Sequence, residues 1–163
     1  DKYSKCLTCD KLYKKDEFIK ENIPINNKYI EYIENCNINK LILLDTIIEL
    51  CGNKIILFTQ YSGIERIIED IIIDKNYSYT SLNAGNIRDI DEVVNKFKYD
   101  TSVRILLIDD AYFGVGLNIE YATDIIFFHN TTDAVKNQMI GRAQRLGRTC
   151  KLHLWDLIYT NEK

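Results

Sequence analysis

Short, uninterrupted apolar runs recur along this chain, and the segments between them carry helical periodicity. That alternation leaves few architectures open. Lys54–Thr59 (KIILFT), Val103–Ile108 (VRILLI) and Asp124–Phe128 (DIIFF) read as strands buried on both faces. Tyr77–Leu82 and Leu152–Tyr159 (LHLWDLIY) read as two more. Leu41, Leu44, Ile47 and Ile48 repeat at helical spacing, with Asn39 as N-cap and Gly52 just past the end. Ser62-Gly63-Ile64-Glu65 has the pattern of a capping box, opening a helix with Ile64, Ile67, Ile68, Ile71 and Ile72 on its apolar face. Asp89–Phe97 predicts a further helix, buried through Val93, Val94 and Phe97. Strands alternating with helices predict an α/β fold, a parallel sheet with helices on both faces. Right-handed crossovers then prune the topologies. Ligands in such sheets bind beyond the carboxyl ends of the strands, which directs attention to the loops after Thr59, Leu82, Ile108 and Phe128.

With 163 residues, 46% of them hydrophobic, there is material for one domain with a substantial core. A net charge of −3 excludes a general polyanion binder, so any nucleic-acid contact must be local. No apolar run approaches the roughly 18 residues of a membrane span, and no signal peptide is visible. Five cysteines without framework spacing point to a reducing, intracellular compartment. The chain opens on Asp1 and its sole methionine is Met139, as expected of a piece of a longer protein.

Residues 1–38 differ from the remainder and are set apart as an irregular connector. They hold the only proline, Pro24, and a short predicted helix at Lys28–Glu34. Cys6-Leu7-Thr8-Cys9 has the knuckle spacing of a zinc site, yet tetrahedral zinc takes four ligands. Cys36, Cys51 and Cys150 fall in or beside predicted core elements. Cys6 and Cys9 are therefore either incidental thiols or half of a zinc site. Residues 39–163 form the α/β domain.

The chemistry concentrates in Gln138-Met139-Ile140-Gly141-Arg142-Ala143-Gln144-Arg145-Leu146-Gly147-Arg148. Arg142 and Arg145 stand on one face of any helix, with Gln138 one turn earlier and Gly141 beside the first arginine. Between Asp133 and Asp156 there is no carboxylate, while Lys136, Arg142, Arg145, Arg148 and Lys151 are all positive. A solvated basic helix would have this charge. Planar, permanently charged guanidinium groups are equally the natural partners of phosphate.

This stretch resembles motif VI (Q-x-x-G-R-x-x-R-x-G) of superfamily-two helicases and, among them, the Swi/Snf-like DNA translocases. The resemblance extends over roughly Asn39–Tyr159 and implies the second of two RecA-like lobes. By it, Arg145 is the arginine finger that reaches the γ-phosphate of ATP held by the other lobe, with Arg142 and Gln138 in support. Such a finger is worth about a thousandfold or more in rate. Gly114-Val115-Gly116-Leu117-Asn118 resembles motif V (G-x-G-x-N), which implies that Gly114, Gly116 and Asn118 shape the interlobe cleft and border the nucleic-acid track. Glycines let backbone amides approach a phosphate closely, though they also simply make turns. Thr59-Gln60-Tyr61 is similar to motif IV (S/T-Q-F/Y), which grips the nucleic-acid backbone. Gly141 follows as part of the motif VI nucleotide site. RING-type zinc modules precede the second lobe in some of these proteins, and Cys6 and Cys9 resemble the last ligand pair of one.

Departures from the pattern are specific. Asp109 and Asp110 stand where the family has a Ser/Thr pair, Phe113 takes the place of a glycine, and His129-Asn130-Thr131-Thr132-Asp133 replaces Trp-Asn-Pro. Arg148 replaces a closing glutamine. These suggest a divergent branch, one consistent with a large DNA virus of AT-rich genome. The sequence contains no G-x-x-x-x-G-K-[ST] loop and no D-E-x-H box. ATP and Mg would thus be bound mainly by a first lobe of the same protein, and this chain alone should not hydrolyse ATP.

The implied partners are nucleic acid, double-stranded DNA ahead of RNA, and that first lobe; the implied setting is the nucleus, a viral replication compartment or the virion. An RNA helicase of the same superfamily, or a silent RecA-like scaffold, are the competing readings. His129 and His153 lack partners at ligand spacing and read as structural. Tyr3, Tyr13, Tyr29 and Tyr32 suit either nucleic acid or a half-buried surface. Lys54 belongs to no motif, and its replacement by alanine is expected to matter little.

Overall fold

A computed structural model describes residues 3–5, 12–14, 40–60, 64–82, 90–112, 116–144, 148 and 150–157. In chain order these form β1 (Tyr3–Lys5), β2 (Leu12–Lys14), α1 (Lys40–Leu50), β3 (Ile55–Thr59), α2 (Ile64–Asp74) and β4 (Tyr79–Leu82). There follow α3 (Ile90–Tyr99), β5 (Ile105–Asp109), a short 3-10 turn (Asp110–Tyr112), β6 (Asp124–Phe127), α4 (Asp133–Ala143) and β7 (His153–Asp156). The proposed helix at 28–34 and the residues Cys6, Cys9, Cys36 and Pro24 lie outside the described residues. Where the sequence suggested only a connector, β1 and β2 pair antiparallel, Tyr3 opposite Lys14.

The other five strands make one all-parallel sheet in the order β4-β5-β3-β6-β7. Every residue of β3, β5 and β6 is buried, as continuous apolar runs require when helices cover both faces. Pleating divides these side chains between two cores. Ile56, Phe58, Leu106, Ile108, Ile125 and Phe127 face α3 and α4, meeting Val94, Phe97, Met139 and Ala143. Ile55, Leu57, Ile105, Leu107, Ile126 and Phe128 face α1 and α2, meeting Leu44, Ile47, Ile48, Ile68 and Ile72. Phe58 and Phe127 pack edge to face at 6.0 Å. Each fully buried leucine, isoleucine or phenylalanine contributes about 1.5–3 kcal/mol.

The expected apolar face of α2 is wider than the surface it covers: Ile68 and Ile72 are buried, while Ile67 is 44% exposed. Helix α2 ends on Asn76 at φ 56°, with Tyr77 N–H bonded to Ile72 O and Asn76 N–H to Ile73 O, a left-handed cap that asparagine tolerates. Gly52 has a different role from the expected cap. A Cβ there would stand 2.6 Å from Thr123 Oγ1, and its N–H reaches Asp124 Oδ2 at 2.8 Å. The end of α1 is capped instead by Arg104, whose guanidinium donates to the carbonyls of Ile48, Cys51 and Gly52. Lys54 acts similarly, donating to Phe97 O (2.6 Å), Asp100 O (2.7 Å) and Val103 O (2.7 Å). The residue expected to matter little thus ties the end of α3 to the amino end of β3.

Candidate functional site

Helix α4 carries the arginine-rich motif. Thr132 caps its start, Oγ1 accepting from Val135 N–H, and Arg142 sits in its last turn, where a cation complements the helix dipole. Lys136, Met139 and Ala143 turn inward onto the sheet. Gln138 and Gly141 are exposed and Arg142 is half-buried, so these three share one side of the helix. Burial lowers the pKa of Arg142. A partly desolvated guanidinium attracts an anion more strongly than one in open water. Arg145 lies outside the described residues.

The segment from Gly116 to Ala122 packs beneath the same helix. Leu117, Ile119 and Ala122 share one core with Met139 and Ala143. Arg148 closes the junction: it donates to Ala143 O, to Glu120 O and Ala122 O, and to Cys150 O and Lys151 O. Ala122 leads directly into the amino end of β6. The loops beyond the carboxyl ends were the expected location, yet Arg142 ends up on the opposite side of the sheet. Eleven helical residues span about 16 Å, as long as these strands, so by Arg142 the chain has recrossed the sheet.

Gly116 and Gly141 have no atom within 4 Å of where a Cβ would stand, and neither adopts a left-handed φ. Among the described residues nothing requires a glycine at either place. Asn118 donates to Glu120 Oε1 at 3.4 Å, while its own Oδ1 is buried without a partner among the described residues. Beside it a cavity of about 170 Å³ is lined by Asp91, Asn95 and Lys98 of α3 with Gly116, Leu117 and Asn118. Lys98 stands over the Tyr121 and Tyr99 rings at 4.3 and 4.8 Å. No sequence signal marked this cavity, because its two walls are distant in the chain. Gly114 lies outside the described residues.

The carboxyl edge is acidic. Thr59 pairs in register with Asp109; both are buried, and Thr59 Oγ1 has no partner among the described residues. The hydroxyl expected to meet a phosphate is therefore turned into the protein, leaving half-buried Gln60 as the accessible group of that motif among the described residues. Glu65 hydrogen-bonds Asp109, while Ser62, its expected partner in a capping box, lies outside the described residues. Burial, that bond and the charges of Asp109, Glu69 and Asp110 push its pKa up to about 7. Tyr61, Ser62 and Gly63 lie outside the described residues.

The basic cluster thins on inspection. Lys136 is buried, paired to Asp156 at 2.7 Å and 5.7 Å above the Phe127 ring. Arg148 is spent on carbonyls, and Lys151 is exposed. His129 packs edge to face on Phe128 at 5.1 Å, and His153, 3.5 Å from buried Asp124, is largely exposed. Cys51 is buried, and burial together with Asp124 raises its thiol pKa far up, while Cys150 is exposed. Among the described residues no three His, Cys, Asp or Glu side chains are grouped to hold a metal, and no helix is long and apolar enough to cross a membrane.

Comparison with known proteins adds the rest. The model of the helicase conserved C-terminal domain matches residues 39–149. A protein named as an ATP-dependent helicase in Plasmodium falciparum is 27% identical over 157 residues, 91% of this chain and 7% of that protein. The chromatin-remodelling ATPase INO80 of Mycosarcoma maydis is 26% identical, across 83% of this chain and 7% of its own length. The chain therefore spans less than a tenth of either relative. In three dimensions the C-terminal part of the Fun30 ATPase domain superposes with a TM-score of 0.71 at 20% identity, over 77% of this chain and 43% of that one. That likeness shows the RecA-like fold.

Proposed function

The chain belongs to the helicase conserved C-terminal domain family, on the Swi/Snf-like side of superfamily two, and from that premise we propose that it is the second motor lobe of an ATP-driven DNA translocase. ATP and Mg are held chiefly by a first lobe of the same protein, and nucleic acid, duplex DNA ahead of RNA, runs across both. This chain by itself does not turn over ATP. Its setting is the nucleus, a viral replication compartment or a virion.

One observation carries the reading. Gly116 and Gly141 are exposed, with open space where a side chain would be, on the two segments that Arg148 ties together. Glycine in a helix costs about 0.5–1 kcal/mol relative to alanine, and packing against the described residues does not offset it at Gly141. Close approach of something outside the lobe does explain it, and a triphosphate in an interlobe cleft fits the guanidinium beside it. When bound, ATP supplies the phosphoryl group that water attacks. Arg145 meets the charge growing on the γ-phosphate oxygens, and Arg142, already partly desolvated, adds a second cation. Gln138 and Gly141 keep that side of α4 open and polar. Asn118 and Gly116 border the cleft from below, and Gln60 and Tyr61 contact the nucleic-acid backbone. Closure of the lobes on ATP and opening after hydrolysis would move the lobes along the strand.

The test is ATP turnover by the full-length protein with duplex DNA, single-stranded DNA and RNA, beside Arg145→Ala. Turnover stimulated by one nucleic acid and abolished in the variant, with ATP binding largely kept, is the expected result. Absence of turnover from folded protein under every condition would leave a scaffold.

A further inference from the structure

We propose that Arg148 is a positioning residue for ATP hydrolysis, locking the last turn of α4, and with it Arg142, onto the segment ahead of β6. The inference rests on the reading of Arg142 as a phosphate-facing group. Guanidinium has five N–H donors, and here each has a carbonyl. Nε donates to Cys150 O at 2.8 Å, Nη1 to Glu120 O at 2.8 Å and Ala143 O at 3.2 Å, and Nη2 to Ala122 O at 2.5 Å and Lys151 O at 3.0 Å. These acceptors come from three stretches: the end of α4, the turn before β6, and the lead into β7. A planar fork can join three stretches at once. Glutamine, with two donors on one nitrogen, cannot, and lysine lacks the fork.

The consequence falls on Arg142. The last carbonyls of a helix have no partner within it, so a helix end frays unless something outside holds it. Ala143, the residue after Arg142, is the end of α4, and its carbonyl is held by Arg148. Gln144 N–H closes the same turn on Ile140 O at 2.7 Å. With every donor engaged, Arg148 has none left for phosphate and cannot act as a further finger. Its charge serves to fix the direction from which Arg142 presents its own. Misplacing a charge-stabilising group by about an ångström can cost a hundredfold in rate without altering ground-state binding.

The experiment is steady-state ATPase kinetics of the full-length protein with its stimulating nucleic acid, comparing wild type, Arg148→Gln, Arg142→Ala and the double variant. Arg148→Gln should lower kcat about tenfold and leave KM for ATP within about twofold. In the Arg142→Ala background the same change should add nothing, because its effect passes through Arg142. A merely structural role would instead depress both backgrounds equally. Should Arg148→Gln fail to fold, Arg148→Lys carries the test: amide exchange at 120–123 and 140–144 should quicken, with a smaller fall in kcat. Wild-type kcat in Arg148→Gln, additive losses, or unchanged exchange in Arg148→Lys would each overturn the proposal. Full turnover in Arg142→Ala would remove the reading beneath it as well. Turnover lost in Arg142→Ala yet intact in Arg148→Gln overturns this inference alone.

Discussion

Gly141→Ala should separate what the lobe needs from what the motor needs. The glycine lies in the last turn of α4, exposed, with nothing within 4 Å of a Cβ built on it, so a methyl group enters without collision. Removing backbone freedom from the unfolded chain and restoring helix propensity should stabilise by about 0.5–1 kcal/mol, toward the low end in a last turn rather than mid-helix. For a domain of this size that raises Tm by roughly 1–4 °C. Thermal and urea melts of the 163-residue chain, with m-values compared, measure it. In the full-length protein the same methyl would stand beside Arg142, where phosphate is proposed to approach, and ATP turnover should fall tenfold or more. Stabilised lobe with crippled ATPase is the expected pair. A destabilised lobe would mean the glycine serves internal packing, and unchanged turnover would mean that nothing approaches that side of α4.

Lys54→Met should cost about 2–3 kcal/mol in a urea melt, since three carbonyls lose a charged donor at a half-buried site; a change under about 0.5 kcal/mol would refute the weight given to those bonds. Asp156→Asn should destabilise by about 2–4 kcal/mol, and more than Lys136→Met, because it leaves an ammonium buried without its partner. Glu65→Gln tests the carboxyl pair through pH. The pKa of Glu65 in the fold, about 7, lies above its ordinary 4.5, so its neutral form stabilises fully below about 4.5 and this is lost as pH rises through 7. Glutamine, neutral throughout, should therefore raise Tm at pH 8 and change little at pH 5. A difference independent of pH would show that the fold does not hold Glu65 neutral.

Much of this architecture was legible because the sheet is buried on both faces: KIILFT, VRILLI and DIIFF admit few other fates. Helix periods were equally clear, although Ile67 shows that an apolar stripe does not reveal how wide a surface will cover it. The motif VI arginines were found by their spacing, and their role came from resemblance. Two things misled. Five positive charges in one stretch looked like a single field, yet charge does not disclose where a side chain points, and Lys136 and Arg148 point inward. Arg148 was illegible because its partners are carbonyls, which every residue has. The rule that ligands sit at carboxyl ends does not reach Arg142 either, since it ignores the length of the helix that carries this residue.

Lys54, Arg104 and Arg148 each fasten distant stretches by gripping main-chain oxygens. A clamp of that kind places almost no demand on the identity of what it holds. Substitutions at Phe97, Ile48 or Glu120 alter side chains but leave the gripped oxygen in place, so half of each contact is immune to point mutation. No carboxylate has to co-evolve, and no acceptor is lost in acid. A lineage can rewrite most of its residues while three long cations keep the same folds of backbone in register. At these three joints drift is cheap among the residues gripped and costly at the cations themselves, so a random-mutagenesis library of this chain should tolerate substitution at Lys54, Arg104 and Arg148 far less than their place outside the apolar core would suggest.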